Sequence, residues 1–376
     1  MRDLVILGST GSIGVQALEI VRSHPDKFRV LALSAGSSNY PVLAEQAREF
    51  NVPVIATSGE RAPLTALFQG EVIDGPQSAS QVAAIPCDIV LNAITGSIGL
   101  GPTLSALSSG NKVALANKES LVAGGELVTD YGRDRIIPVD SEHSALAQAM
   151  RSGAAGEIKK VILTASGGPF RKRRDLSDVT LEDALAHPTW DMGRVVTINS
   201  ATMVNKGLEI IEAHHLFGTP YKSIETVIHP QSVVHSMVEF RDGSTIAQAS
   251  PPNMKGPIAY AISEGERLSS VMPAVDWSKG SSWDFEPLDN ERFPAVLLAK
   301  RCGELGTAVT AMYNAANEEA VAAFIAGKIG FLGIVDLLEK VVQKLGGGAV
   351  SQLRSLEDVS AIEKDARILA RELMGA

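Results

Sequence analysis

A chain of 376 residues with 45% hydrophobic side chains is long enough for two or three domains with cores of their own, which excludes a largely disordered protein. Its formal charge of −9 argues against nucleic acid or another polyanion as the main partner. Cys87 and Cys302 are the two cysteines; they cannot build a disulfide framework, which fits a reducing compartment. With no basic leader, and no apolar run near the ~18 residues of a membrane span, a cytoplasmic protein that does not engage a membrane is expected.

The first third alternates strand and helix signals. LVIL (4–7) is an apolar run ending in Gly8, and SIGVQALEIVRS carries apolar residues at helical spacing. RVLALSAG (29–36) reads as a second strand, PVLAEQAREF as a helix, and VPVIAT, CDIVLNAITG (87–96) and KVALANK (112–118) as further strands. Such alternation predicts an α/β domain with a parallel, doubly wound sheet over 1–140. From Asp140 the texture changes. KKVILTAS, VVTINSA, ETVIHPQSVVHSMVEF and STIAQAS read as strands and NKGLEIIEAHHLF as a helix, which predicts an α+β domain over 141–263. Residues 264–290, rich in Ser, Pro, Trp and Asp, read as a linker packed on the surface. FPAVLLAKRC, AVTAMYNAANEEAVAAFIAG and GFLGIVDLLEKVVQKL are helical by period, so 291–376 should form a small helical bundle.

Gly8-Ser9-Thr10-Gly11-Ser12-Ile13-Gly14 lies between a strand and a helix, where a dinucleotide pyrophosphate can approach bare backbone N–H groups. The spacing is GxxGxxG rather than GxGxxG, and a tight turn without a ligand is the bland alternative. The second strand ends Ser34-Ala35-Gly36-Ser37-Ser38-Asn39, with no acid to repel a 2′-phosphate, so NADP is favoured over NAD. That loop also lacks Lys and Arg, leaving Ser37, Ser38 and Asn39 only hydrogen bonds to offer. Asn117-Lys118-Glu119 closes another strand at the carboxyl edge, where open α/β sheets bind ligands.

Asp140-Ser141-Glu142 ends the strand RIIPV, and residues i and i+2 of an extended segment point the same way. Two convergent carboxylates without a thiol suit Mg²⁺ or Mn²⁺; a helix N-terminus, with Glu142 set against the dipole, is the competing reading. A third acid would come from NKGLEIIEA, where Glu209 and Glu212 share a helix face and periodicity does not choose between them. Asn205-Lys206-Gly207 opens the same helix and makes a phosphate seat. Ser166-Gly167-Gly168-Pro169 follows VILTA and offers another backbone cradle. His187, in AHPTWDMG with Pro188, Trp190 and Gly193, belongs to a loop that could close over a ligand. His229 and His235 read as core or ladder histidines, His214 and His215 as helix-surface residues. The pattern points to a phosphorylated small molecule at a metal site.

GSTGSIG, NKESLV, PVDSEHSA, TASGGPFR, HPTWDMG, NSATMVNKGLEIIEA, IHPQSVVHSMVEF and NAANEEAV occur in the order familiar from the deoxyxylulose-phosphate reductoisomerases, and the chain resembles that family over nearly all its length. The resemblance implies a homodimer with a Rossmann-type NADPH-binding domain, an α+β catalytic and dimerisation domain and a C-terminal helical domain. It implies that Asp140, Glu142 and Glu209 hold Mg²⁺ or Mn²⁺ and that Lys118 joins them in catalysis. Ser166, Ser200, Asn205 and Lys206, with His187 nearby, would bind the phosphate; Lys118 and Ser141 would contact the sugar backbone. Thr10, Gly11, Ser12, Ile13, Gly36, Ser37, Ser38, Asn117, Glu119 and Gly193 would line the NADPH site. Trp190 and Met254 would cover the substrate as flap and pocket wall. The implied activity is metal-dependent isomerisation and NADPH reduction of a phosphorylated ketose in isoprenoid biosynthesis. The chain departs from the family pattern at Asn253 (usually Asp), at Ala249-Ser250 (usually Leu-Gly), and in lacking the lysine many relatives carry after the second strand. Two other readings are a semialdehyde reductase, which needs a nucleophilic cysteine, and a non-catalytic NADP sensor, which has no use for three convergent acids.

Overall fold

The computed structural model describes residues 1–190, 192–347 and 353–375, and the chain divides into two compact units. The first comprises Met1–Ser120, Val128–Ser144 and Asn253–Pro273. Its seven strands are β1 (Arg2–Leu7), β2 (Phe28–Ala35), β3 (Val54–Thr57), β4 (Glu71–Asp74), β5 (Ile89–Asn92), β6 (Lys112–Leu115) and β7 (Ile136–Pro138). They pair in parallel in the order β4-β3-β2-β1-β5-β6-β7. Leu4, Val5, Ile6 and Leu7 are all buried, as a parallel strand covered on both faces requires. The order reverses direction between β1 and β5, which makes their carboxyl ends the switch point where such sheets take ligands. Helices α1 (Ser12–Ser23) and α2 (Tyr40–Glu49) follow β1 and β2, α1 burying Ala17, Leu18, Ile20 and Val21. Strand β4 has only Val72 and Ile73 among its four residues to signal a strand, so its local sequence does not predict it.

Two expectations change here. Ser141–Ala149 is a helix, α3, so Asp140-Ser141-Glu142 is a strand-to-helix junction and not an extended pair: the competing helix-start reading describes the backbone. The segment 253–273, read as the end of the α+β domain and the start of the linker, belongs to the first unit. The reason is burial: in the helix Lys255–Ile262, Ile258, Ala259, Ala261 and Ile262 join the core cluster of Leu4, Ile6, Leu18 and Leu33.

The second unit comprises Leu121–Leu127, Ala145–Pro252 and Ala274–Ala376. Strands β8 (Ile158–Ala165), β9 (Ile224–Ile228), β10 (Val234–Phe240), β11 (Thr245–Ala249) and β12 (Glu286–Pro287) form a mixed sheet in the order β11-β10-β8-β9-β12. ETVIHPQSVVHSMVEF is therefore two strands, broken where Ser232 takes φ +51°. VVTINSA, expected as a strand, is helix α4 (Arg194–Ala201). Its β-branched run satisfies either period, and burial of Thr197, Ile198 and Ala201 at helical spacing decides for the helix. Helix α5 (Val204–Phe217) is buried nearly all round, including Glu209, Glu212 and His215, so neither Glu212 nor His215 is a surface residue. The linker's end contributes β12, paired antiparallel with β9. Helices α6 (Ala295–Leu305), α7 (Thr307–Ile325), α8 (Phe331–Leu345) and α9 (Leu356–Leu373) form the expected bundle. Among the described residues no helix is long and apolar enough to cross a membrane.

Candidate functional site

In the first unit the glycine turn joins β1 to α1. Gly8 has φ +78°, and a Cβ there would lie 2.7 Å from the Ala93 carbonyl oxygen. A Cβ on Gly14 would lie 2.5 Å from Ser9 Cα. These two glycines are needed by the turn itself. Gly11 differs: it is exposed at the N-cap of α1 with φ −81° and no side-chain cap, so the first-turn N–H groups have no intrahelical acceptor. Gly11 N donates back to Gly8 O at 3.0 Å, and Ser12 and Ile13, with Thr10 before them, present backbone donors at a helix start, a cradle suited to a pyrophosphate. The turn is braced from below. Ser9 Oγ donates to Gln46 Oε1 at 2.8 Å and Gln46 Nε2 donates to Ser9 O at 3.0 Å, both buried. No sequence signal marks Gln46, because its role depends on where α2 packs. Gly36, Ser37 and Ser38 are exposed at the end of β2.

Asn117 is buried, and its amide donates to Ile94 O at 2.6 Å, to Gly96 O at 2.8 Å and to Glu119 Oε2 at 3.0 Å, while accepting from Ser120 N at 3.0 Å. That side chain holds the loop after β5 in place. Next to it, Lys118 Nζ lies 2.6 Å from Asp140 Oδ2, with the two side chains only 12% and 14% exposed. Buried His143, which no motif spacing marks, places Nδ1 at 3.9 Å from Asp140 Oδ1. Burial works against a charge on Asp140, yet Lys118 and His143 hold its carboxyl well below the ordinary carboxylate range. Ser141 Oγ donates to Glu142 Oε2 at 2.5 Å. Met254 stands at the start of the helix Lys255–Ile262, partly buried against this unit's core. Asn253 Oδ1 accepts from Lys255 N at 2.9 Å, a local turn contact that the usual Asp makes equally well.

In the second unit, Gly167 and Gly168 take φ +83° and +62°, and a Cβ on Gly168 would lie 3.0 Å from Ser200 O. The Ser166 loop therefore rests on the end of α4, beside Ser200. His187 Nδ1 accepts from Thr189 N at 3.1 Å and Trp190 N at 2.9 Å, so the proton of the neutral ring is on Nε2, 3.0 Å from Ser166 Oγ. Burial lowers the pKa of His187. Ser166 Oγ also accepts from Gly168 N at 3.3 Å, which leaves its own O–H to donate outward. The Trp190 ring lies 6.2 Å from His235, tilted by 59°; Asp191 of the same loop lies outside the described residues. His235 is a buried strand histidine bonded to Ser250 O at 3.1 Å, as its sequence context suggested. Gly193, exposed, precedes α4.

Met203 joins α4 to α5 in the left-handed region, φ +62°, a strain of about 1–3 kcal/mol that the surrounding packing must offset. It aims the first turn of α5. Lys206 and Glu209, 4% and 2% exposed, form an ion pair there, and the Asn205 amide also donates to Glu209. Neither cysteine has a nucleophile's setting: burial pushes both thiols up to about 12, which removes the semialdehyde-reductase reading.

Three family descriptions match the chain: 1-deoxy-D-xylulose 5-phosphate reductoisomerase over residues 4–125, the C-terminal domain of the same enzyme over 136–217, and the DXP reductoisomerase C-terminal domain over 249–369. The 1-deoxy-D-xylulose 5-phosphate reductoisomerase of Streptomyces coelicolor is 52% identical over 99% of this chain and 92% of its own. That of Leifsonia xyli is 59% identical over 91% of each. A crystal structure of DOX-P reductoisomerase with NADPH, fosmidomycin and magnesium superposes with a TM-score of 0.93 at 36% identity, covering 100% of this chain and 98% of that one. The enzyme from Zymomonas mobilis in complex with NADPH superposes at 0.92 with 40% identity, covering 100% and 99%. With both units matched end to end by such relatives, the chain belongs to the 1-deoxy-D-xylulose 5-phosphate reductoisomerase family.

Proposed function

We infer that this protein converts 1-deoxy-D-xylulose 5-phosphate to 2-C-methyl-D-erythritol 4-phosphate, using NADPH and Mg²⁺ or Mn²⁺, in the non-mevalonate isoprenoid pathway. The observation that carries the reading is the pair of sheltered carboxylates, Asp140 and Glu209, each set beside a lysine of its own unit. Asp140, Glu142 and Glu209 are the metal ligands in this proposal: an all-carboxylate donor set fits a hard divalent ion, and both thiols lie elsewhere. A bound ion supplies Lewis acidity to the substrate's ketone and adjacent hydroxyl, and NADPH supplies the hydride. Thr10, Ser12 and Ile13 receive the pyrophosphate on backbone N–H groups and Gly11, without a side chain, leaves the approach open, with Gly36 to Ser38, Glu119, Gly193 and the Asn117 backbone as further lining. Ser166, fixed by His187, donates to the substrate phosphate together with Ser200, Asn205 and Lys206. Lys206 carries the charge that a phosphate dianion needs, and ligand binding redirects it from Glu209. Lys118 and Ser141 orient the sugar backbone, while Trp190 and Met254 shield it from water. Fixing the phosphate remotely lets its binding energy orient the reacting end. The enzyme acts as a cytoplasmic homodimer.

The test is NADPH oxidation with 1-deoxy-D-xylulose 5-phosphate, with and without Mn²⁺. Turnover should need substrate and metal together, and Glu209→Gln should cut it by orders of magnitude and raise the Mn²⁺ requirement. Full turnover in metal-free enzyme, or an unaffected Glu209→Gln variant, would refute this site.

A further inference from the structure

The loop after β2 offers a 2′-phosphate only serines and Asn39, yet a dianion at this position calls for a cation. Between residues 30 and 111 the chain has just two, Arg48 and Arg61. Arg48 is committed elsewhere, in the last turn of α2, donating to Leu67 O at 3.1 Å. Arg61 opens the short helix Arg61–Thr65, which follows the loop after β3. Strands β2 and β3 run parallel with Ala35 opposite Thr57, so the residues leaving their carboxyl ends, Gly36-Ser37 and Ser58-Gly59, emerge side by side. The two loops touch. A Cβ on Gly59 would lie 2.5 Å from Ser37 Cβ and would collide with the Tyr40 hydroxyl, so Gly59 lets the β3 loop close on the β2 loop. Two residues on, Arg61 is exposed, and among the described residues it has no ion pair and no side-chain hydrogen bond. Exposed Glu60 is its acidic neighbour.

We propose that Arg61, two residues beyond the point where Gly59 meets Ser37, is the residue that reads the 2′-phosphate of NADPH, an inference that rests on the NADPH reading above. Ser37 and Ser38 supply hydrogen bonds and Arg61 the charge. Sequence adjacency to the second strand is replaced by adjacency in the sheet, which explains how a loop without lysine or arginine can still select the phosphorylated cofactor.

The experiment is fluorescence titration of the full-length protein with NADPH and with NADH, and competition by 2′,5′-ADP against 5′-ADP. Wild type, Arg61→Ala and Arg61→Lys are compared, with thermal midpoints as a folding control. Arg61→Ala should weaken NADPH and 2′,5′-ADP binding by about tenfold or more, the scale of one charge-assisted contact, and leave NADH unchanged. Arg61→Lys should recover most of the loss. An NADPH-to-NADH affinity ratio in Arg61→Ala equal to that of wild type overturns the assignment and leaves the cofactor reading intact. Equal affinity for the two cofactors in wild type overturns both.

Discussion

With Nδ1 accepting two backbone N–H groups and Nε2–H donating to Ser166, the His187 ring cannot take a second proton without breaking the turn at 187–190. Burial lowers its pKa, so the unfolded chain takes up the proton first on acidification. The stability that the neutral ring contributes is present above the ordinary histidine range, near 6.5, and is lost as pH falls through the lowered folded value. Inorganic phosphate binding by the full protein should weaken over the same window, and His187→Gln should flatten that dependence; an identical pH profile in the variant would remove His187 from the cradle. At this scale the sequence was legible in residue type and blind to surroundings. Glu209 and Glu212 could be placed on one helix face by spacing, but the burial that encloses both, and His215 with them, depends on partners distant in the chain. Arg61 shows the same limit from the other side. The approach of Gly59, two residues before it, to Ser37 is a property of strand pairing, and no short window of sequence contains it.

Elements were legible where one local period was unopposed. LVIL and the glycines behind it form a buried parallel strand feeding a helix, as read. VVTINSA, with β-branched residues compatible with either state, went the other way, and the junction at Asp140 became a helix start. The glycine turn separates two demands within seven residues. Gly14→Ala should cost about 1–3 kcal/mol through its collision with the Ser9 backbone, seen as a lower thermal midpoint. Gly11→Ala meets only Gly8 O, at 3.3 Å, in an ordinary φ region, so it should keep that midpoint and instead weaken NADPH binding. Reversal of the two outcomes would mean that Gly11 serves the turn and that the pyrophosphate lies elsewhere.

For the molecule as a whole, the sequence conveyed the classes of its parts: a parallel α/β sheet, a mixed sheet with helices, and a helical bundle. It did not convey that the first unit is assembled from three stretches of chain, because composition carries no mark of a return to an earlier core. A fragment ending at residue 144 should therefore lack the apolar layer of Ile258, Ala259, Ala261 and Ile262 and should bind a hydrophobic dye and aggregate. Adding the 253–273 segment through a flexible linker should reduce both effects. A fragment that is monomeric, dye-silent and cooperative in melting would show that the helix is dispensable.

That helix also sets an order of events during synthesis. The strands that carry the glycine turn leave the ribosome early, and the residues that close their core come only after the intervening sheet has been translated. Until Lys255–Ile262 emerges, the nascent first unit has an open hydrophobic side. Chaperone occupancy along the growing chain should therefore persist through residue 252 and fall once the helix docks. A translational pause placed before that point would lengthen the exposure, whereas one placed after it would be harmless.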